Sequence, residues 1–154
     1  MAKVAILMGS ESDRAVVEEA IPFFNFFGIE FEIHVMSAHR TPDLVQKFAG
    51  SAEANGFDLI IAGAGMAAHL PGVVAAYTRL PVIGVPLAAG PLMGIDSLYS
   101  IVQMPAGVPV ATMAIGKAGM RNAAIFCAQV IARYDKNILK CLDKFKQNKC
   151  RIPA

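Results

Sequence analysis

The hexapeptide Ser37-Ala38-His39-Arg40-Thr41-Pro42 sets a titrating imidazole beside a permanent cation. It lies where an apolar stretch, Ile29 to Met36, gives way to a helical pattern. Thr41 suits a helix N-cap, and Pro42 suits the first helical position, where a backbone N–H would have no partner. That end of a helix carries free amide donors and a partial positive charge. A His-Arg pair at such a place fits an anionic ligand and proton transfer.

Two further segments carry chemistry. The first strand ends in Met8-Gly9-Ser10-Glu11-Ser12-Asp13. Taken alone, Ser10 and Asp13 have the spacing of a capping box. In a doubly wound sheet, however, this turn and the Ser37–Pro42 turn come from adjacent strands at one edge. Ser10, Ser12 and Ser37 then donate to a phosphate, Asp13 accepts from sugar hydroxyls, and Arg40 neutralises charge. The third strand ends in Gly63-Ala64-Gly65-Met66-Ala67-Ala68-His69-Leu70-Pro71-Gly72. Its first six residues match the dinucleotide fingerprint in its Gly-x-Gly-x-x-Ala form. Yet they follow the third strand rather than the first, and no acidic residue stands about twenty positions on to hold a ribose. The glycines are better read as letting backbone amides approach a small ligand group. His69 falls at or near the start of the next helix and, as a lone histidine, reads first as structural.

Other candidates fail. Gly116-Lys117 looks like the end of a phosphate-binding P-loop, but Ala111 and Ala118 occupy its required Gly and Ser/Thr positions. Ser97 has no nucleophile-elbow context. His34 lies on the polar face of an edge strand and is expected to be solvated. Cys127, Cys141 and Cys150 lack metal-ligand spacing and read as free thiols of a reducing cytoplasm. No metal is implied.

The elements that position these segments alternate. Strands are expected at Lys3–Met8, Glu30–Met36, Leu59–Ala62, Val82–Val85 and Val110–Met113. Helices are expected at Asp13–Phe27, Pro42–Asn55, His69–Thr78, Ile95–Gln103, Lys117–Tyr134 and Lys136–Lys146. This alternation indicates α/β architecture with a parallel sheet and right-handed crossovers. The second strand sets Phe31, Ile33 and Val35 against Glu30, Glu32 and His34, which suits an edge; the first, third and fourth are apolar throughout. A single-domain, flavodoxin-like three-layer α/β/α sandwich follows, with a five-stranded parallel sheet in the order 2-1-3-4-5 and ligands at the carboxyl ends of the strands.

Composition narrows the partners. The 154 residues are 55% hydrophobic and 17% charged, with a net charge of +2. A single domain of this size buries about 70% of its unfolded surface. No formal charge falls between Arg79 and Asp96, nor from Ser97 to Gly116. So long an apolar stretch is expected to be buried between subunits. A membrane span is excluded by Pro81, Pro86, Pro91, Pro105 and Pro109 within it, with Pro71 just before it. Met1-Ala2-Lys3 leads straight into the first strand, so no secretory leader is expected. The basic tail from Lys136 also holds acids and lacks interleaved aromatics, so it reads as a solvated C-terminal helix rather than a nucleic-acid contact.

In order along the chain, Gly9-Ser10-Glu11-Ser12-Asp13, Ser37–Pro42, Gly63-Ala64-Gly65 with Ala67–Gly72, and Asp96–Pro105 resemble one family. It is the 5-(carboxyamino)imidazole ribonucleotide mutases, the catalytic-subunit type of the phosphoribosylaminoimidazole carboxylases. The resemblance runs from Val4 to about Tyr134. It implies one mutase domain over residues 1–154, a homo-octamer, a cytoplasmic location and no cofactor. It also implies isomerisation of a carboxyamino ribonucleotide in purine synthesis, downstream of an ATP-dependent synthase. Carried over by position, His39 is catalytic and Ser10, Asp13 and Arg40 bind substrate; Ser12, Ser37, Gly63, Gly65, His69 and Leu70 complete the expected pocket. Met66 stands where the family has a glycine, and Gly90-Pro91 where small polar residues are usual. The alternatives are a direct aminoimidazole ribonucleotide carboxylase on the same scaffold and a flavin- or dinucleotide-binding electron carrier.

Overall fold

Strands apolar on both faces need helices on both sides. The computed structural model, which describes residues 2–153, has that arrangement. Strands β1 (Lys3–Met8), β2 (Glu30–Val35), β3 (Leu59–Gly65), β4 (Val82–Leu87) and β5 (Ala111–Thr112) are parallel and stand in the expected order 2-1-3-4-5. They are joined by α1 (Arg14–Val17), α2 (Ile21–Phe27), α3 (Pro42–Ser51), α4 (Leu70–Tyr77), α5 (Ile95–Val102) and α6 (Lys117–Ile131), and α7 (Lys136–Gln147) follows.

Side chains alternate across the pleated sheet and so feed two cores. Val4, Ile6 and Met8 join Leu59, Ile61, Ile83 and Val85 on one face, under α2, α6 and α7. Ala5, Leu7, Ile60 and Ala62 point the other way, toward Val45 and Ala49 of α3, Val74 of α4 and Ile101 of α5. Burying one large apolar side chain contributes roughly 1.5–3 kcal/mol, so neither layer is dispensable. Gly84 shows how closely a layer can approach. A Cβ there would lie 2.4 Å from Ile101 Cγ2, so glycine is what lets α5 rest on β4. Cys127 of α6 is fully buried in the first core, and that burial pushes its thiol far above the ordinary range.

Several expected boundaries move for physical reasons. The helix expected from Asp13 to Phe27 is interrupted by a 3₁₀ turn at Glu18–Ala20. Pro22 has no N–H to offer the Glu18 carbonyl, which instead accepts from Ile21. Gly28, in the left-handed region at φ 69°, then ends α2. The fifth strand is shorter than Val110–Met113. Pro86 cannot extend the β4 ladder as a donor, and its carbonyl accepts from Gly116 beyond the strand end. β3 and β4 run on to Gly65 and Leu87, so half of the glycine-rich segment is strand. His34 is not free in solvent: its ring centroid lies 4.6 Å from that of Phe48, and Nε2 lies 3.1 Å from Glu32. Nor is the C-terminal helix simply solvated. Ile138, Leu142 and Phe145, at i, i+4 and i+7, are buried, and Phe145 meets Phe23 and Phe27 edge-on.

One surface stands out. Leu92, Met93, Ile95, Tyr99 and Val102 are 48–70% exposed around α5, on either side of Asp96 in a part of the chain otherwise without formal charge. No helix among the described residues is long and apolar enough to cross a membrane.

Candidate active site

The parallel register brings three strand ends to one edge. Met8 is level with Val35 of β2 on one side and Gly63 of β3 on the other, and Met36 N–H continues the ladder to the Met8 carbonyl at 2.9 Å. The turns that follow surround a cavity of about 480 Å³. Its polar wall comes from the segments 9–13 and 37–40, and its apolar wall from 64–70 with Ala89.

On the polar wall, Ser10 heads a 3₁₀ turn at Glu11–Asp13. Its Oγ accepts from Ser12 N–H at 3.3 Å and from Ser12 Oγ at 2.9 Å. The expected reciprocal capping box is therefore replaced by a serine pair. Glu11 turns to Arg14, which donates to it at 2.6 and 2.8 Å, and it does not line the cavity. Asp13 does line it. Burial raises its carboxyl above the ordinary aspartate range, opposed by the Ser10 backbone amide and by the charge of Arg40.

The hexapeptide closes on itself. Ser37 Oγ accepts from the amides of His39 and Arg40 at 3.3 and 3.2 Å. Thr41 Oγ1 accepts from Ser37 N–H at 2.9 Å and donates to Ser37 O at 3.2 Å. Thr41 does occupy the N-cap of α3, but its hydroxyl is committed to this clasp and makes no capping bond. Arg40 Nη2 donates to Gly9 O at 3.0 Å, tying the two turns together and leaving most guanidinium donors free.

His39 crosses to the apolar wall. Its Nε2 lies 2.7 Å from His69 Nδ1, with the rings edge-to-face at 4.8 Å. At that distance one nitrogen must carry a hydrogen and the other must accept it, so the pair holds at most one positive charge. His69 is thus not a lone structural histidine. It sits at the N-cap of α4, where its N–H donates to Ala67 O at 2.8 Å. Leu70 follows, buried beneath the cavity at the first turn of α4.

The predicted residues Ser10, Ser12, Asp13, Ser37, His39, Arg40, Gly65, His69 and Leu70 all line this cavity; Gly63 does not. A Cβ on Gly63 would lie 2.8 Å from Met120 Cε, so this glycine makes room for α6 rather than for a ligand. Gly65 has a related reason: a Cβ there would come 2.7 Å from Ala89 Cβ. The resemblance to a dinucleotide fingerprint therefore reflects packing. Sequence reasoning passed over Gly9, Ala38 and Ala89 as lining residues. Only their places after strand ends could have signalled them.

A parallel α/β sheet with facing histidines and an anion-suited wall at its carboxyl edge defines a small-molecule enzyme of the doubly wound class. The AIR carboxylase family matches residues 3–151, and the chain belongs to that family. It is 53% identical to the N5-carboxyaminoimidazole ribonucleotide mutase of Escherichia coli K12 over 146 residues, which is 95% of this chain and 86% of that protein. The mutase of Haemophilus influenzae is 49% identical, covering 98% of this chain and 92% of its own. Among solved structures, Treponema denticola PurE superposes with a TM-score of 0.87 at 31% identity, covering 97% of this chain and 92% of that one.

Proposed function

We propose that the chain is an isomerase converting 5-(carboxyamino)imidazole ribonucleotide to 4-carboxy-5-aminoimidazole ribonucleotide in purine synthesis. The observation that carries this reading is the joining of a polar, anion-suited wall to a small apolar wall by the His39–His69 pair. Relatives about half identical over nearly the whole chain, named as mutases, support it.

The chemistry asks for both walls. The bond from nitrogen to its carboxylate breaks, its electron pair stays on nitrogen, and that nitrogen takes a proton. Carbon dioxide is then attacked by ring carbon 4, whose proton must leave to restore aromaticity. Nothing is oxidised and no co-reactant is consumed. His39 can give the first proton and take the second, a general acid/base role worth roughly 10²–10⁴ in rate. His69 is the neighbour that fixes the ring of His39 and shares its proton. Ser10, Ser12, Ser37 and Arg40 hold the phosphate, and Asp13 accepts from ribose hydroxyls. Gly65 and Leu70 belong to the apolar wall, where captive carbon dioxide gains a proximity advantage.

The same reading extends to assembly and setting. The exposed strip at Leu92, Met93, Ile95, Tyr99 and Val102 supports a homo-octamer in which the strip is covered. Unpaired cysteines support a reducing cytoplasm. Residues 1–154 act as one mutase domain, supplied by an ATP-dependent carboxylating synthase. Turnover of the carboxyamino substrate in labelled bicarbonate tests the reaction. A mutase yields product carrying little label, whereas a direct carboxylase yields product labelled from solution.

A further inference from the structure

Thr41 takes no part in the chemistry proposed above, and it is not among the residues that line the cavity. It stands, however, between two anchored elements. On one side its carbonyl accepts from the amides of Leu44 and Val45 at 3.1 and 3.3 Å, which starts α3. Val45 and Ala49 pin that helix in the core. On the other side Met36, buried just after β2, is tied to the Met8 carbonyl. Residues Ser37 to Arg40 hang between these points, with His39 exposed in the turn.

The base of the turn is closed by Thr41 acting on Ser37. The Thr41 N–H donates to Ser37 O at 2.9 Å, and the Thr41 hydroxyl bonds both backbone groups of Ser37, accepting from N–H at 2.9 Å and donating to O at 3.2 Å. A valine of the same shape could do neither of the last two. Ser37 Oγ in turn accepts from the amides of His39 and Arg40, so the place of Ser37 sets the backbone that carries both. Beyond this base the two side chains differ. Arg40 has a second tie, from Nη2 to Gly9 O, whereas the ring of His39, among the described residues, bonds to His69 alone.

We propose that the Thr41 hydroxyl is a positioning group for the reaction: it holds Ser37, and through it His39, so that the imidazole meets both His69 and the reacting ring. The inference rests on the mutase reading, in which His39 moves the proton. A proton donor must lie within hydrogen-bond reach of its acceptor, and a misplacement of about 1 Å can cost about 10²-fold in rate. The hydroxyl governs turnover more than affinity, because Arg40 keeps its tie to Gly9 when the clasp opens.

The test reads kcat, calorimetric affinity for the product ribonucleotide and melting temperature in T41V, T41A and T41S. The first two lack the hydroxyl, with and without the branched shape, and the third keeps it. T41V and T41A are expected to lose about 10–100-fold in kcat with product affinity little changed, while T41S stays near the unsubstituted enzyme. In the H39N background T41V should lower the residual turnover no further, because the group it positions is gone. A lower melting temperature with kcat intact overturns the proposal and makes Thr41 purely structural. Equal losses in T41S and T41V overturn it too, as does a parallel loss of kcat and affinity, or a further fall in the double variant. If the unsubstituted enzyme isomerises nothing, the mutase reading falls, and the proposal with it.

Discussion

The two turns that meet through His39 and His69 are built in different ways. In the 37–41 turn, polar groups are tied to one another: Ser37 Oγ takes two amides, and Thr41 clasps Ser37 from both sides. The 65–69 turn is held by a backbone bond from His69 to Ala67, and it lies so close to the loop after β4 that a Cβ on Gly65 would meet Ala89. A turn stitched by its own hydrogen bonds can present charged and polar groups without moving. One held by packing presents a smooth apolar surface and depends on its neighbours. On the proposed reading, the first kind of wall serves phosphate and proton, and the second serves carbon dioxide.

Breaking the bridge between the walls should have the largest effect. In His39→Asn the shorter amide ends near the position of the ring Nδ1, so the Nε2 bond to His69 is lost and no titrating group remains. Isomerisation is expected to fall by about 10²–10⁴ while nucleotide binding and the melting temperature persist. Near-full turnover in that variant would remove His39 from the chemistry.

Next comes the polar wall alone. Arg40→Ala is expected to weaken nucleoside monophosphate binding by about 1.5–3 kcal/mol, the range for a hydrogen bond to a charged group. The Arg40 bond to Gly9 O is solvent-exposed, so stability should hardly change. An unchanged calorimetric titration would mean that the phosphate lies elsewhere.

Asp13→Asn gives the smallest effect on turnover and a distinctive one on stability. The folded protein holds the Asp13 proton more tightly than the unfolded chain does, because burial raises its pKa. Stability from this group is therefore present below the unfolded value, about pH 4, and is lost as pH rises through the folded value. Asn carries no charge to desolvate, so the variant should melt slightly higher at pH 7, with the gain shrinking toward pH 4. Ligand affinity should fall at the same time. A melting temperature that drops at neutral pH would make Asp13 a structural group.

The sheet order, the strand-end location of the cavity and most of its polar wall are readable from residue patterns. Two-sided apolar strands and punctuating turns depend on local sequence, and so does the N-terminal position of Pro42 in α3. What escapes are facts about neighbours distant in the chain. His69 looks solitary until β3 folds beside β1 and brings it to His39, thirty residues away. Gly63 looks like a ligand loop until Met120 is seen against it. The hydroxyl of Thr41 suits a helix cap, yet its turn offers a better pair of partners. Ala89 carries no chemical signal, and only the extension of β4 to Leu87 explains its place on the wall.

The burial of Cys127 makes it a timekeeper for the molecule. Cys141 is half-buried and Cys150 exposed, so replacing those two by serine leaves one thiol that a reagent meets only when α6 parts from the sheet. The rate of its modification then records how often that face of the core opens. Open states too brief and too rare to appear in a melting curve become countable one molecule at a time.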